Sequence, residues 1–155
     1  MSETYACLSI RQPWANLIVF GIKNIENRNW YCAFKGPLLI HAGKTWSKDE
    51  ENNFNSLMNL AREMRDQRRI HALESSRVML GGLVGVCQMI GCVQANRWFD
   101  EGGTEFDGKN NWFVGPYGYF LEDARQFKTM IPYKGQQGLF RVPKSILQVY
   151  QEIIS

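Results

Sequence analysis

A long apolar segment interrupted by glycines, residues 80–93, constrains the fold of this chain more than any other feature. Its run of Leu, Val and Met predicts a central, buried strand. Glycine inside a strand marks a bulge, a kink or a close approach of another backbone, and this segment contains Gly81, Gly82, Gly85 and Gly91. We therefore predict that the central strand bends and that the sheet around it curls.

The other predicted elements are short, and strands do not alternate regularly with helices. Extended segments are predicted at 5–10, 24–30, 38–42, 117–121 and 138–142. Helices are predicted to begin at Pro13, at Ser47 with a capping box completed by Glu50, and at Pro143. This order favours an α+β domain, built on a small curled sheet or barrel flanked by helices, over a doubly wound sheet.

Three segments carry more local predictions. The charged run 62–69 is expected to be the solvated end of the second helix, with a basic rim for RNA phosphates as the alternative. Residues 96–115 are predicted to form a loop because they are rich in Gly, Asn and Asp. The last helix is predicted to bury Ile146, Leu147 and Tyr150.

The length of 155 residues fits a single domain, 1–155, whose core needs neither a metal nor a disulfide. The chain is 45% apolar and 21% charged, a composition that excludes a disordered protein. No stretch reaches the roughly 18 apolar residues that cross a bilayer, and the first residues carry no secretory signal pattern. We therefore expect a cytoplasmic protein without a membrane partner.

Four cysteines and two histidines offer few ligands for a metal centre. No Cys-x-x-Cys pair occurs, and the cysteines lie in apolar segments, so buried free thiols are expected. No metal site is predicted. The net charge of +3 permits contact with phosphates without requiring it.

The densest group of charged side chains lies in residues 21–28, directly after the first helix. Burial at this turn would lower the pKa of Lys23, and a neutral amine acts as a base. Alternation along the following strand puts Glu26, Arg28 and Trp30 on one face. Glu26 and Arg28 are then expected to form an ion pair in the same cleft as Lys23, and a surface cluster of ion pairs is the alternative.

The common catalytic motifs are absent, since the chain has no Walker loop, GxGxxG, HExxH or GxSxG. A mechanism that uses histidine would depend on His41 or His71. His71 follows a charged helix and is expected to be exposed, whereas His41 lies in a predicted strand. His41 is either a site residue or a core imidazole whose nitrogens are hydrogen-bonded.

The order Gly21-x-Lys23-x-x-Glu26-x-Arg28 resembles the signature of the ASCH domain, a branch of the PUA-like superfamily. Four further blocks resemble the family in the same order: the opening at 9–15, the strand at 39–42, the central strand at 83–86 and the closing turn and strand at 132–140. The matches span about residues 5–142, and the chain resembles small bacterial stand-alone ASCH proteins.

This resemblance implies a PUA-like β-barrel flanked by helices, with a cleft lined by the signature. It also implies a role in RNA or nucleotide metabolism. Family members include proteins linked to RNA cleavage, small bacterial enzymes that remove the acetyl group from acetylcytidine, and nucleic-acid-binding modules attached to transcription coactivators.

The deacetylating members use a Lys, a Thr three residues later and a Glu on a later strand. Lys23 matches the Lys, but Glu26 stands in place of the Thr, and Gln88 stands at or near the place of the later Glu. Without a hydroxyl group, position 26 cannot act as the nucleophile of an acyl transfer. Lys23 and Glu26 can still activate a water molecule, and they are the candidate catalytic residues.

Candidates for substrate binding follow from the same resemblance and from residue chemistry. They are Arg28, Trp30, His41, Lys44, Trp46, Gln88, Trp112, Tyr117 and Lys134. Arg28 suits a phosphate or a carbonyl oxygen, and Lys44 and Trp46 lie where a loop could neutralise a phosphate and stack a base. Trp112 and Tyr117 are candidates for a cleft wall. A core role is the alternative for Trp30.

Three functions are compatible with these residues. The first is binding of single-stranded RNA or a modified nucleoside, with or without ribonuclease activity. The second is an amidohydrolase that deacetylates N4-acetylcytidine, and the third is a non-catalytic binding module for nucleic acid. No cofactor is predicted with certainty, and a divalent metal ion at the phosphate is an option only for a nuclease.

Overall fold

A six-stranded mixed sheet forms the centre of the computed structural model, which describes residues 3–149. Its strands are β1 (Thr4–Ile10), β2 (Ile25–Arg28), β3 (Gly36–Ala42), β4 (Gly82–Gln94), β5 (Tyr117–Pro132) and β6 (Leu139–Pro143). The helices are α1 (Trp14–Val19), α2 (Lys48–Glu63), α3 (Gln67–Ser76), α4 (Ala95–Asp100) and α5 (Lys144–Val149). The strand order is β2-β5-β4-β3-β1-β6, and the predicted α+β class is confirmed.

β4 is the bent strand of the sheet, and its register with β5 shifts at three places. Gly85 allows the close packing around this bend. A Cβ atom there would lie 2.4 Å from the carbonyl oxygen of Arg125 and 2.6 Å from Cγ1 of Val19. Only glycine therefore lets β5 and α1 approach β4 this closely. Because β2 and β6 are the edges, the sheet curls without closing into a hydrogen-bonded barrel.

The sheet buries one hydrophobic cluster on each face. Leu8 and Ile10 of β1 belong to the larger cluster, which includes residues of α1, α2 and α3, whereas Cys7 belongs to the smaller one. This division follows from the alternation of side chains along a strand. Leu147 of α5 is buried in the smaller cluster and Ile146 packs against it, while Tyr150 lies outside the described residues.

The predicted capping box at the start of α2 is confirmed. The side chain of Ser47 accepts the amide of Asp49, and the carboxylate of Glu50 accepts the amide of Ser47 at 2.7 Å. The prediction for residues 62–69 is wrong, because the run does not continue one solvated helix. Arg65 adopts a positive φ of 55° between α2 and α3, and Arg69 is buried.

Two element predictions in the second half of the chain also need correction. Residues 96–115 are not all loop, since α4 occupies Ala95–Asp100. The fifth strand was expected at 117–121 but continues to Pro132. The added residues are mostly polar and exposed, and backbone pairing with β4 keeps them extended, which the hydrophobic pattern does not reveal.

The cysteines are free thiols, with Cys7 and Cys87 buried. Burial raises the pKa of Cys87 to about 12, so this thiol stays protonated at neutral pH.

Among the described residues, no helix combines the length and the hydropathy that a membrane span requires.

Candidate functional site

A cleft of about 1440 Å³ opens where β1 and β3 leave the sheet. These two strands are parallel, with Ser9 opposite His41, so both end at the same edge. Arg11, after β1, and residues 43–45, after β3, line the cleft. The amide of Gly43 donates to the carbonyl oxygen of Ile10 at 2.9 Å. This hydrogen bond joins the two segments as they leave the sheet.

The turn after α1 brings Lys23 to the cleft. Gly21 has a positive φ of 75°, the left-handed conformation that commonly ends a helix at glycine. The amides of Ile22 and Lys23 both donate to the carbonyl oxygen of Leu17 at 2.9 Å. Through this tight turn, Lys23 enters the protein interior and is only 4% exposed.

The amine of Lys23 is held by a carbonyl, a carboxylate and an indole. Nζ donates to the carbonyl oxygen of Ile25 and, at 3.3 Å, to Oε1 of Glu26. It also lies 5.7 Å from the centre of the Trp14 ring. Burial lowers the pKa of Lys23, and the charge of Glu26 opposes that shift. Since burial is the larger effect, this amine loses its proton more readily than an exposed lysine.

Glu26 bridges Lys23 and Arg28. Its Oε2 accepts Nε–H of Arg28 at 3.1 Å, while Oε1 faces Lys23. Arg28 also donates from Nη2 to the carbonyl oxygen of Ser9 at 2.7 Å, which ties β2 to the end of β1. The carboxylate is therefore neutralised by two cations, and the cluster keeps a net positive charge when Lys23 is protonated.

His41 has a hydrogen-bond partner at each ring nitrogen. Nε2 lies 2.7 Å from the carbonyl oxygen of Tyr133, and Nδ1 lies 2.9 Å from Oγ of Ser9. Burial lowers the pKa of His41, which favours the neutral ring. A carbonyl only accepts hydrogen bonds, so the neutral ring donates from Nε2 and accepts the hydroxyl of Ser9 at Nδ1.

Exposed cations and an aromatic ring surround this buried cluster. Lys44 and Lys134 are exposed and line the cleft. Trp30 is 49% exposed, and its ring centre lies 6.0 Å from Cζ of Arg28. The hydroxyl of Tyr119 donates to the carbonyl oxygen of Trp30 at 3.0 Å and fixes the backbone there. The cleft thus combines positive charge with a surface for stacking.

The cleft contains most of the residues that the sequence analysis singled out. They are Lys23, Glu26, Arg28, Trp30, His41, Lys44 and Lys134. Glu26 and Arg28 lie on β2, and Lys23 and Trp30 lie just before and just after that strand. His41 and Lys44 come from the end of β3 and the loop after it, and Lys134 comes from the turn between β5 and β6. Because half of its surface is exposed, Trp30 is not a core residue.

Both remaining tryptophan candidates pack elsewhere. Trp112 is 1% exposed within the larger hydrophobic cluster, with Cζ of Arg69 5.7 Å from its ring centre, so it cannot form a cleft wall. Trp46 donates from Nε1 to the carboxylate of Glu51 at 2.7 Å and packs edge-on against Phe54. These contacts hold the Trp46 ring against α2 and not in the cleft.

Gln88 and Tyr117 also lie outside the lining of the cleft. Gln88 stands in the middle of β4, opposite Pro37 of β3 and Glu122 of β5. Tyr117 pairs with Arg28 in the β2–β5 register, but its ring packs edge-on against Tyr31 at 6.3 Å.

Asn27 links β2 to the loop after α4 and was not predicted from the sequence as a site residue. Its Nδ2 donates to the carbonyl oxygen of Trp112 at 2.8 Å, and its Oδ1 accepts the amides of Val114 and Gly115 at 2.8 and 3.3 Å. The available signal was an Asn between two charged residues of a strand, since Asn is depleted in strands. Ser9 and Tyr133, the partners of His41, were missed as well.

The described residues suit an anion better than a metal ion. Within residues 3–149, no group of three or more His, Cys, Asp or Glu side chains is placed to hold a metal. The cleft instead presents guanidinium and ammonium groups, which bind phosphates and carboxylates.

The sequence model of the ASCH domain matches residues 8–135 of this chain. Curated relatives include activating signal cointegrator 1 from Homo sapiens and from Mus musculus, each 28% identical over 143 residues. Those matches cover 92% of this chain but 23% of the relatives, so the chain spans less than a quarter of their length.

Solved structures with a similar fold include the ASCH protein from Zymomonas mobilis. It has a TM-score of 0.54 at 15% identity, with 99% of this chain and 98% of that chain covered. A single-substitution variant of the same protein gives a TM-score of 0.55 at 14% identity, with the same coverage. The likeness of the folds agrees with the α+β, PUA-like architecture that the sequence predicts.

Proposed function

Because the chain belongs to the ASCH domain family, we propose that it binds single-stranded RNA in the cleft lined by Lys23, Glu26 and Arg28. The observation that carries this proposal is the presence of exposed cations and an exposed indole in one open cleft. Proteins that bind single strands use positive charge for the phosphates and aromatic rings for the bases. Lys44 and Lys134 provide the charge, and Trp30 provides the ring.

The size of the cleft favours a strand over a single nucleoside. Sites for small ligands usually enclose about 300–1,000 Å³, and this cleft measures about 1440 Å³. A lone nucleoside would leave much of the cleft surface in contact with solvent. Two or more linked nucleotides would use the tryptophan and the separated cations together.

The charge of the buried cluster also favours an anionic ligand. Glu26 would repel a phosphate if its carboxylate were free, but both of its oxygens contact cations. Arg28 retains a partly exposed guanidinium, with 17% of its side chain accessible. A phosphate at the cleft floor therefore meets a net positive group that the fold already holds in place.

RNA cleavage is a second candidate, favoured by the lowered pKa of Lys23. A neutral amine could accept the proton of a ribose 2′-hydroxyl as that oxygen attacks the neighbouring phosphate. Arg28 would stabilise the charge that develops on the phosphate. In this role Lys23 is the base, and Glu26 sets its protonation by opposing the effect of burial.

Fluorescence anisotropy with a short, mixed-sequence RNA labelled at one end tests the binding proposal. We expect wild-type protein to bind the single strand in preference to the matching duplex, with an affinity that falls as salt is added. Lys44→Ala and Lys134→Ala should each weaken binding and reduce the slope of log K against log salt by about 0.7. Lys128→Ala, an exposed lysine outside the cleft, is the matched control.

Binding that survives both cleft substitutions but responds to Lys128→Ala would contradict the proposal.

Mass spectrometry of the same RNA after incubation, with and without chelator, tests cleavage. Shortened fragments from wild type and none from Lys23→Ala would support it. Incubation with N4-acetylcytidine in parallel tests the amidohydrolase alternative, which predicts release of cytidine.

A further inference from the structure

Ser9 and His41 form a second group of reactive side chains in the cleft, distinct from the Lys23–Glu26–Arg28 cluster. Oγ of Ser9 lies 2.9 Å from Nδ1 of His41, and Nε2 of His41 lies 2.7 Å from the carbonyl oxygen of Tyr133. A hydroxyl bonded to an imidazole whose other nitrogen is fixed by a third group is the arrangement that activates a serine nucleophile. We propose that Ser9 is an acyl-accepting nucleophile and that His41 is its general base.

The hydrogen-bond pattern directs the free lone pair of the imidazole at the serine hydroxyl. The carbonyl of Tyr133 can only accept, so Nε2 carries the proton in the neutral ring. Nδ1 is then unprotonated and faces Oγ of Ser9. Tyr133 thus has the orienting role that a buried carboxylate has in other hydrolases, but through its main chain.

The surrounding structure fixes the geometry of the pair. Ser9 and His41 are register partners on the parallel strands β1 and β3. The main chain of Gly135 packs so closely on the ring that a Cβ atom there would lie 2.6 Å from Cε1 of His41. Phe140 packs edge-on against the imidazole at 6.2 Å. A ring confined in this way is preorganised for one proton transfer.

The pair is accessible and has a cation beside it. Both residues line the cleft, and Ser9 is partly exposed. The guanidinium of Arg28 donates to the main-chain carbonyl oxygen of Ser9 at 2.7 Å. This hydrogen bond places a cation beside the residue that carries the nucleophile. A cation beside the nucleophile would favour the negative charge that forms on the oxyanion during acyl transfer.

The reaction is a hydrolysis of an ester or amide in two steps. In the first step, Oγ of Ser9 forms a bond to the carbonyl carbon of the substrate, and the hydroxyl proton passes to Nδ1 of His41. The resulting oxyanion then collapses, which breaks the bond to the leaving group, and the leaving group takes the proton from His41. Water then attacks the acyl-serine, again through His41, and releases the carboxylic acid and the free hydroxyl. No oxidant or metal ion is required. The proposal needs an acyl compound in the cleft but does not depend on RNA binding.

A fluorophosphonate reagent, which bonds to activated serine hydroxyls with loss of fluoride, tests the proposal on the wild-type protein. Intact mass followed by peptide mapping should find one adduct, on Ser9. His41→Gln should slow that labelling by about 100-fold, the usual effect of removing a general base. The hydroxyl of Ser75 donates to the carbonyl oxygen of His71, outside the cleft. The Ser75→Ala variant should therefore be labelled on Ser9 as fast as the wild-type protein.

The wild-type mapping alone can overturn the proposal, whatever the stability of the variants. Absence of an adduct, or an adduct on another residue, would do so, as would equal labelling of a folded His41→Gln protein. RNA anisotropy on the same preparations separates the two proposals. Labelling of Ser9 without RNA binding would support acyl transfer alone, and RNA binding without labelling would support only the proposed function.

Discussion

Glu26 holds its Oε1 atom 3.3 Å from Nζ of Lys23, inside the protein where the amine has almost no contact with water. A buried ammonium needs a compensating charge, and this carboxylate provides it. The same carboxylate compensates Arg28 through its other oxygen. One acidic side chain therefore keeps two cations together at the cleft, and several properties of the protein depend on it.

Replacement of Glu26 by Gln should destabilise the fold. Lys23 and Arg28 would then face each other without the shared anion, and breaking a buried ion pair in this way costs about 3–5 kcal/mol. The pKa of Lys23 should fall further, because the charge of Glu26 is what raises it. Urea unfolding measures the first effect, and NMR titration of the lysine side chain measures the second. Equal stability of the two proteins would contradict the bridging role.

RNA binding should weaken as the pH rises through the pKa of Lys23, which lies below its ordinary value of 10.5. The amine is charged below that pKa and neutral above it, so its attraction for phosphate is lost on the alkaline side. Lys23→Met should bind about tenfold more weakly at neutral pH, because the cluster then loses its net positive charge, and the attraction of one such charge for a nearby phosphate contributes about 1–4 kcal/mol.

This variant should also lack the alkaline decline. Anisotropy with a 2′-O-methyl RNA, which resists alkaline cleavage, measures both effects. Lys128→Met controls for the loss of one lysine outside the cleft. A decline of the same size in wild type and Lys23→Met would mean that another group titrates.

Removal of the side-chain amide in Asn27→Ala should release the loop at 112–115. The loop would lose one donor and one acceptor that serve three main-chain groups. We expect a loss of about 1–3 kcal/mol in the free energy of unfolding and faster hydrogen exchange at the amide of Val114. Asn29→Ala, an exposed residue one position beyond β2, should leave the exchange unchanged. Unaltered exchange in Asn27→Ala would rule out the anchor.

Stability should fall as the pH drops below about 6.5, the ordinary pKa of histidine. Burial lowers the pKa of His41 in the folded state, so the unfolded state binds more protons between the two values and is favoured there. This loss of stability is complete once the pH is below the pKa of His41 in the folded protein. Urea unfolding measures it, at pH values above those at which the carboxyl groups titrate. His41→Gln should lack this dependence, whereas His71→Gln, an exposed histidine outside the cleft, should retain it.

The sequence predicted the parts of the site that one segment of chain encodes. Glu26 and Arg28 lie on β2, where strand alternation puts them on one face. Trp30 was expected on the same strand, but β2 ends at Arg28, and Trp30 reaches the cleft from the segment just after it. Lys23 could be added because Gly21 marks the end of α1. The bent β4 was also predictable, since its glycines interrupt an apolar run.

The rest of the site depends on contacts between distant segments. The pairing of Ser9 with His41 requires β1 and β3 to be parallel neighbours in one register, which no local pattern specifies. Trp46 and Trp112 have the same residue type as Trp30, and only the packing of α2 and α3 decides which ring stays exposed. The polar half of β5 was missed because its main-chain pairing, not its side chains, keeps it extended.

The parallel exit of β1 and β3 has a further consequence for how such a cleft can change in evolution. The register of the two strands ends at Ile10 and Ala42, and the lining residues Arg11 and Lys44 follow just beyond it. Substitutions or insertions after those ends alter the mouth of the cleft without shifting a strand in the sheet. The residues at the mouth can therefore change while the paired strands below them, with Ser9 and His41, stay as they are.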